Sequence, residues 1–302
     1  MNPKNKLAEM PVRPLLYTMA VPLMLSLLIQ SLYNIVDSIF VARLSETALT
    51  AASLVYAIQF LMIAIGVGTA VGLNALLSRK LGQKKPEEAC RAATTGLFLM
   101  LATSLVFTLV GLLFSNQIAV ALTGDPELQQ LCREYLSVNL VFCWGIFLQT
   151  YGQRLLQAMG DTVLSMVSLI IGAVVNIILD PIMIFGLLGC PAMGIAGAAL
   201  ATVISRVVEL ALAAAVTRRK SAVQLRWSWL ARRPDRLLLQ DFLRYTMPVI
   251  GASLVWGIAY MSYSVVLGHM DGDAVAANSV VAVAKSLISC LIRGVGGGAG
   301  IL

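Results

Sequence analysis

Eight apolar stretches, each long enough to cross a bilayer, take up most of this 302-residue chain, at roughly 16–41, 48–77, 92–114, 135–158, 163–187, 194–216, 242–268 and 274–302. Hydrocarbon offers no water to satisfy backbone N–H and C=O groups. A chain with so many such runs therefore folds as helices that close their hydrogen bonds internally. The expected fold is all-α, a polytopic transmembrane helical bundle. A mean hydropathy of +0.85 with only 12% charged residues argues against a soluble enzyme. The first run is too long for a signal peptide and lacks a small-residue cleavage site, so it is read as a retained helix.

The net charge of +7 reads as topology rather than nucleic-acid binding, because the basic residues collect in short loops. Arg79, Lys80, Lys84, Lys85 and Arg91 follow the second run, and Arg218, Arg219, Lys220, Arg226, Arg232, Arg233, Arg236 and Arg244 surround the gap after the sixth. The N-terminal segment adds Lys4, Lys6 and Arg13, whereas the alternate loops hold little beyond Arg43 and Arg133. The N-terminus and the even-numbered turns are thus expected on the cytoplasmic side. Three regions follow: a six-helix transmembrane bundle over 1–216, a cytoplasmic basic linker over 217–241, and the start of a second bundle over 242–302. Trp227 and Trp229, set among arginines, suit a linker segment lying at the inner headgroup layer. The stretch Asn116 to Glu134, with Gly124-Asp125-Pro126, reads as a short interfacial helix between the third and fourth spans.

The five cysteines show no CxxC spacing and the only histidine is His269, so no structural metal site is expected. Cys132 and Cys190 face the same side in this topology and are candidates for pairing.

Shifting the chain by 226 residues, the separation of Pro22 and Pro248, aligns Ser38 with Ser264 and Ala48, Ala51, Ser53 and Val55 with Ala274, Ala277, Ser279 and Val281. Tyr17-Thr18-Met19 recurs as Tyr245-Thr246-Met247, and Gly66 to Gly72 as Gly294 to Gly300 with the offset slipped by two residues. The seventh and eighth runs restart the first and second. An even number of intervening spans makes these parallel repeats, related by an axis along the membrane normal.

Ionised carboxylates at membrane depth are costly and usually mark an ion or proton site. Asp37 ends a polar stripe of Ser26, Gln30, Tyr33 and Asn34 that spans an arc of about 100° on the first helix. In the fifth run Asn176 and Asp180 share a face. Pro181 removes a backbone donor there and frees the carbonyl of Ile177, which makes an oxygen-lined site for Na⁺ or a proton. Gly194, Ala198, Thr202 and Ser205 give the sixth helix a small face that brings the Thr202 hydroxyl to those groups. Pro22 gives the acid-bearing helix a place to bend. Asp37 and Asp180, held close together, would titrate as a coupled pair. Arg206 and Glu209 read as a neutralising pair near the cytoplasmic end. Gln149, Gln153 and Gln157 form a stripe that lines a cavity or packs. Trp256, Tyr260 and Tyr263 share a face suited either to organic cations or to packing, and Tyr263 falls opposite Asp37 in the repeat.

These residues resemble the multidrug and toxic compound extrusion (MATE) transporters, in their DinF-like bacterial branch. The resemblance rests on Pro22, Gln30, Tyr33, Asn34 and Asp37 with Val41-Ala42-Arg43-Leu44, and on Gln157-Ala158-Met159-Gly160-Asp161-Thr162. It rests also on Asn176 to Pro181 and on Met193-Gly194-Ile195-Ala196-Gly197-Ala198 through Thr202. It implies two six-helix bundles facing each other, of which this chain holds the first and two helices of the second. It also implies an ion-coupling site at Asp37, Asn176, Asp180 and Thr202, a substrate pathway along Gln30, Tyr33, Asn34, Gln153, Tyr260 and Tyr263, and hinges at Pro22 and Pro181. Because the sequence halts in Gly300-Ile301-Leu302, inside a span, a fragment of a full transporter is favoured over a truncated product. The activity implied is an antiporter in a bacterial inner (plasma) membrane that expels amphipathic organic cations as H⁺ or Na⁺ enters. No further cofactor is expected, and no obligate protein partner if the protein is full length. The alternatives are a lipid-linked saccharide flippase of the same superfamily and a non-transporting membrane scaffold.

Overall fold

The computed structural model of the chain describes residues 10–219, 236–268 and 272–299, with several side chains of the last two helices, Tyr260 and Tyr263 among them, left outside the description. Trp227, Trp229 and His269 also lie outside it. Nine α-helices run through the described residues: α1 Val12–Leu44, α2 Glu46–Gly82, α3 Pro86–Leu122, α4 Pro126–Val141, α5 Cys143–Ala158, α6 Thr162–Phe185, α7 Gly194–Arg219, α8 Arg236–Gly268 and α9 Gly272–Ala299. No strand occurs among them. Among the described residues six helices are long and apolar enough to span, and the pair α4 and α5, bent by 45°, makes a seventh if counted as one span. Within the described residues of α9, Ile288–Ala299 is an apolar helical segment shorter than a span.

The turns follow from local chemistry. Ser45 separates α1 from α2 and caps the latter, its Oγ accepting from the Ala48 amide at 2.9 Å. Pro86 opens α3, where Glu88 accepts from Lys80 at 2.5 Å and pairs with Lys85 at 2.9 Å. At the α5–α6 corner the Asp161 amide reaches the Leu156 carbonyl and the Gly160 amide the Gln157 carbonyl, both at 2.9 Å. Gly160 takes φ 82° there, a left-handed value that favours glycine.

Three expectations are corrected in this region. No separate interfacial helix lies between the third and fourth spans. Helix α3 continues to Leu122, and the polar stretch after Pro126 is the first part of α4, which runs on to Val141. The fourth span is then broken at Phe142 rather than continuous over 135–158. Thr108 of α3 donates to the Val141 carbonyl at 3.2 Å, a bond from a neighbouring helix that supports the bend. Gly111 lets the α4 backbone approach this closely, since a Cβ there would meet Leu140 Cβ at 2.5 Å. Cys132 and Cys190 do not pair either. Both are free, the first buried and donating to the Ala51 carbonyl, the second exposed.

Helix α6 shows how the bundle is turned toward lipid. Val163, Val167, Ile171, Val174 and Ile178 are exposed along one side, while Ser165, Ser168, Gly172, Ala173, Asn176 and Asp180 are buried along the other. The polar and small residues face inward, the reverse of a soluble helix, because hydrocarbon is the outer solvent and close approach is the inner requirement. Helix α6 packs between α1 and α7, and α5 packs on α7.

The repeat is written into the packing. Helix α9 lies on α1 and α8 lies on α2. A Cβ on Gly294 would sit 2.7 Å from Met24 Cα, and one on Gly298 would sit 3.0 Å from Ala20 Cα, so the two glycines receive the α1 backbone on either side of Pro22. In the same way Gly68 faces Ile250 and Gly72 faces Thr246, on either side of Pro248. Gly68 and Gly72 stand in the 226-residue register with Gly294 and Gly298, so the slipped offset read for the glycine run is corrected. Each proline helix is seated on the glycine face of the other repeat's second helix. Replacing Gly298 by Leu should cost about 1–3 kcal/mol by overpacking against backbone and lower the melting temperature in detergent. Gly296→Leu, where an added Cβ meets nothing within 4 Å, should leave the melting temperature unchanged.

Candidate functional site

Three helices bring the predicted coupling residues together. Asp37 comes from α1, Asn176 and Asp180 from α6, and Thr202 from α7. Asp180 is fully buried and Asn176 nearly so. Their spacing of four residues stacks the side chains on one helix face, and Asn176 Nδ2 donates to Asp180 Oδ1 at 3.1 Å. The same amide reaches Thr202 Oγ1 at 3.5 Å, while Thr202 Oγ1 donates to the Ala198 carbonyl at 3.1 Å. Helix α6 runs on through Pro181 to Phe185, so the helix is not ended by its proline. Helix α7 can lie this close because Gly197 faces the Met183 carbonyl at a distance where a Cβ would stand 2.5 Å from the oxygen. The Met193 amide donates to the same carbonyl at 3.0 Å. The glycine-rich motif at the start of α7 thus sets the position of Thr202.

The oxygens of this centre are under-supplied with donors. Asp37 Oδ1, Asn176 Oδ1 and Asp180 Oδ2 are buried and without a hydrogen-bond partner among the described residues. The charges of Asp37 and Asp180 act on one another. Tyr135 of α4 lies in the field of both acids and takes a 3.5 Å contact from Gln59 Nε2 on α2. An unpaired buried acceptor costs free energy, and all three of these are oxygens, the donor type that hard cations and protons take.

A second polar centre lies one turn along α1 and one turn along α7. Arg206 Nη1 and Glu209 Oε1 pair at 3.0 Å with the carboxylate almost fully buried. Arg206 also donates to the Tyr33 hydroxyl, and its guanidinium lies 5.4 Å from the Tyr33 ring centroid. Glu209 Oε2 accepts from Gln149 Nε2 at 2.6 Å and from Gln153 Nε2 at 3.0 Å. Gln157 is separate, donating to Ser165 at 3.2 Å.

The expected pathway residues therefore divide. Tyr33 and Gln153 join this second centre, and Gln30 sits beside the Tyr33 hydroxyl. Asn34 is exposed and joins neither centre. Pro22 stands inside a continuous α1 at the glycine seat. Arg206 and Glu209 do pair, as read from the sequence, but they reach Tyr33 on another helix and two glutamines on a third. Thr202, Arg206 and Glu209 recur at intervals of four and three on one face of α7, and that spacing was the available signal. Tyr135 and Gln59 carry no comparable pattern. On α8, Trp256 lies 5.7 Å from the Phe60 ring and 5.7 Å from the Arg293 guanidinium. It is engaged in contacts between helices.

A bundle of spanning helices with a buried acid centre at its middle defines a multi-pass membrane protein. The MatE family model matches residues 22–182, a stretch that contains Pro22, Asp37, Asn176, Asp180 and Pro181, and the chain belongs to that family. It is 26% identical over 271 residues to the multidrug export protein MepA of Staphylococcus aureus (strain MRSA252), covering 89% of this chain and 59% of that protein. It is 29% identical over 266 residues to the probable multidrug resistance protein YoeA of Bacillus subtilis (strain 168), covering 86% and 57%. A solved structure of a MATE protein in complex with MaL6 superposes with a TM-score of 0.90 at 26% identity, over 100% of this chain and 66% of that one. The chain thus spans less than two thirds of the length of the curated relatives it matches.

The contact between α6 and α7 predicts the effect of widening it. Gly197→Val should separate Thr202 from Asn176 and lower stability by about 1–3 kcal/mol, seen as a reduced melting temperature in detergent with helix content retained by circular dichroism.

Proposed function

We propose that this protein works as a secondary active antiporter, expelling amphipathic organic cations while H⁺ or Na⁺ enters by alternating access. The observation that carries the reading is the trio of unpartnered buried oxygens on Asp37, Asn176 and Asp180. Carboxylates kept at membrane depth with an oxygen left unpartnered are stabilised by a cation or proton that binds there, and so they are set to load and unload. Relatives named as multidrug export proteins support an organic substrate. The clustering of Lys and Arg around the even-numbered turns supports a cytoplasmic N-terminus in a bacterial inner membrane.

The energetics fit such an exchange. One charge entering down about 100 mV releases about 2.3 kcal/mol, a roughly fifty-fold gradient of a neutral substrate. A monovalent cation expelled for one entering ion draws on the chemical gradient of that ion alone. Loading neutralises the acids on α1 and α6 together, and Pro22 gives α1 the place at which to answer with a change of shape.

The test is gradient-driven efflux of tetraphenylphosphonium from vesicles carrying the protein, with the pH gradient and the Na⁺ gradient imposed one at a time to identify the coupling ion. Asp37→Asn and Asp180→Asn should each reduce efflux by about tenfold or more. Full efflux by Asp37→Asn would overturn the coupling scheme.

A further inference from the structure

Helix α9 holds an arginine that no carboxylate neutralises among the described residues. Helix α8 is packed on α2 and α9 on α1, and α8 and α9 make little contact with each other. Arg293 of α9 reaches across the gap, its guanidinium 5.7 Å from the centre of the Trp256 ring on α8. Trp256 stands near the middle of the apolar run 242–268. Arg293 is next to Gly294, which meets the α1 backbone at Met24, inside the run 16–41. Its charge is thus turned toward mid-membrane, whereas a long basic side chain near a span end ordinarily reaches back to the headgroups.

A cation at that depth is costly and ordinarily has an acid beside it. The neighbouring helices offer none. Across α2, α8 and α9 the acids are Glu46, Asp241 and Asp273, each near a helix end and outside the apolar runs. Gly294 meets Met24 and Gly298 meets Ala20, so α1 and α9 run antiparallel. Asp37 of α1 therefore lies about 20 Å further along the pair. The contact with Trp256 returns only part of the cost, because the ring is 47% exposed. That ring belongs to an aromatic run. Phe60 of α2 lies 5.7 Å from it at an interplanar angle of 32°, and Tyr56 lies 6.4 Å from Phe60. Gly257 admits Phe60, since a Cβ there would stand 2.6 Å from the Phe60 ring. In the 226-residue register Trp256, Tyr260 and Tyr263 replace Gln30, Asn34 and Asp37, and Arg293 replaces Val67. The second repeat has exchanged the acid-bearing polar stripe of the first for aromatic residues and an added positive charge.

We propose that Arg293, Trp256 and Phe60 form a binding site for planar aromatic monoanions, carboxylates or sulfonates, in the gap between α8 and α9. The ring of such a ligand stacks on the aromatic run, and its acid group accepts two N–H bonds from the guanidinium fork. The ligand supplies the negative charge that the surrounding helices lack. This class is opposite in charge to the organic cations of the antiport reading, the site stands apart from the acid centre, and it does not rest on that reading.

The test is calorimetric titration of 2-naphthalenesulfonate into the purified protein in a neutral detergent, with detergent alone as the blank and no gradient present. Saturable binding is expected. Arg293→Gln should weaken it by about tenfold or more, and Arg293→Lys, which keeps the charge but loses the fork, by about threefold. Trp256→Leu should weaken it by about fivefold, while Trp256→Phe keeps most of the affinity. The uncharged isostere 2-naphthalenemethanol should bind weakly, and equally to the unmodified protein and to Arg293→Gln. Each variant is compared only where its melting temperature matches that of the unmodified protein, and Arg293→Lys serves if Arg293→Gln does not fold. Absence of saturable binding would overturn the proposal, and so would full affinity in folded Arg293→Gln or, in its place, in Arg293→Lys. Binding that needs Arg293 but ignores Trp256→Leu would mark a site for lipid headgroups and overturn the aromatic one. No transport is measured, so loss of gradient-driven efflux leaves this site standing, and failure of the titration leaves the antiport reading untouched.

Discussion

Helices in a bilayer gain nothing from burying apolar surface against one another, since lipid is as apolar as leucine, so this bundle depends on bringing backbones into close contact. Glycine is what permits it. Gly197 admits the Met183 carbonyl, Gly111 admits the backbone at Leu140, Gly172 admits the Glu209 side chain, and Gly294 and Gly298 admit α1. Both polar centres are built on such contacts. Asn176 meets Thr202 only because α6 and α7 touch at Gly197, and Glu209 fits only because Gly172 has no side chain.

The two centres answer the low-dielectric interior in different ways. Around Glu209 the carboxylate is given a countercharge and two amides, and is nearly complete. Around Asp37 and Asp180, among the described residues, Asn176 donates to Asp180, while Asp37 Oδ1, Asn176 Oδ1 and Asp180 Oδ2 have no partner. A satisfied network rigidifies its surroundings, whereas an unsatisfied one is poised to bind. Tyr33 belongs to the closed centre and stands on α1 four residues before Asp37 of the open one.

Much of this was legible in the sequence, and the reasons are physical. Runs of apolar residues announce spans because the bilayer fixes their length, and an acid in such a run is rare enough to stand out. Asp37 and Asp180 stood out for that reason, the shared face of Asn176 and Asp180 and the small face of Thr202 were readable from helical spacing, and the restart at Pro248 from the repeated Tyr-Thr-Met. The break at Phe142 was not, because Val141-Phe142-Cys143 holds neither proline nor glycine and the bend is supported by Thr108 of another helix. The reach of Arg206 to Tyr33 was equally hidden. Spacing along α7 shows that Arg206 can pair with Glu209, but only the approach of α1 shows that the guanidinium has a second partner. The glycine register was missed by two residues because the run offers several glycines, and only the contacts say which of them bear on the proline helices.

The seats around Pro22 and Pro248 have the form of a two-fold interface between identical subunits: residue i of one repeat meets residue j of the other, and j meets i. In a homodimer every substitution at such a surface strikes both copies at once. Here the copies are joined in one chain, so each can drift alone. Ala20 of the first repeat faces Gly298 where Thr246 of the second faces Gly72, and Tyr263 occupies the position that Asp37 holds. Fusion of the halves lets the chain carry a carboxylate at one of two equivalent positions, which gives a polarity to a framework whose contacts are otherwise symmetric.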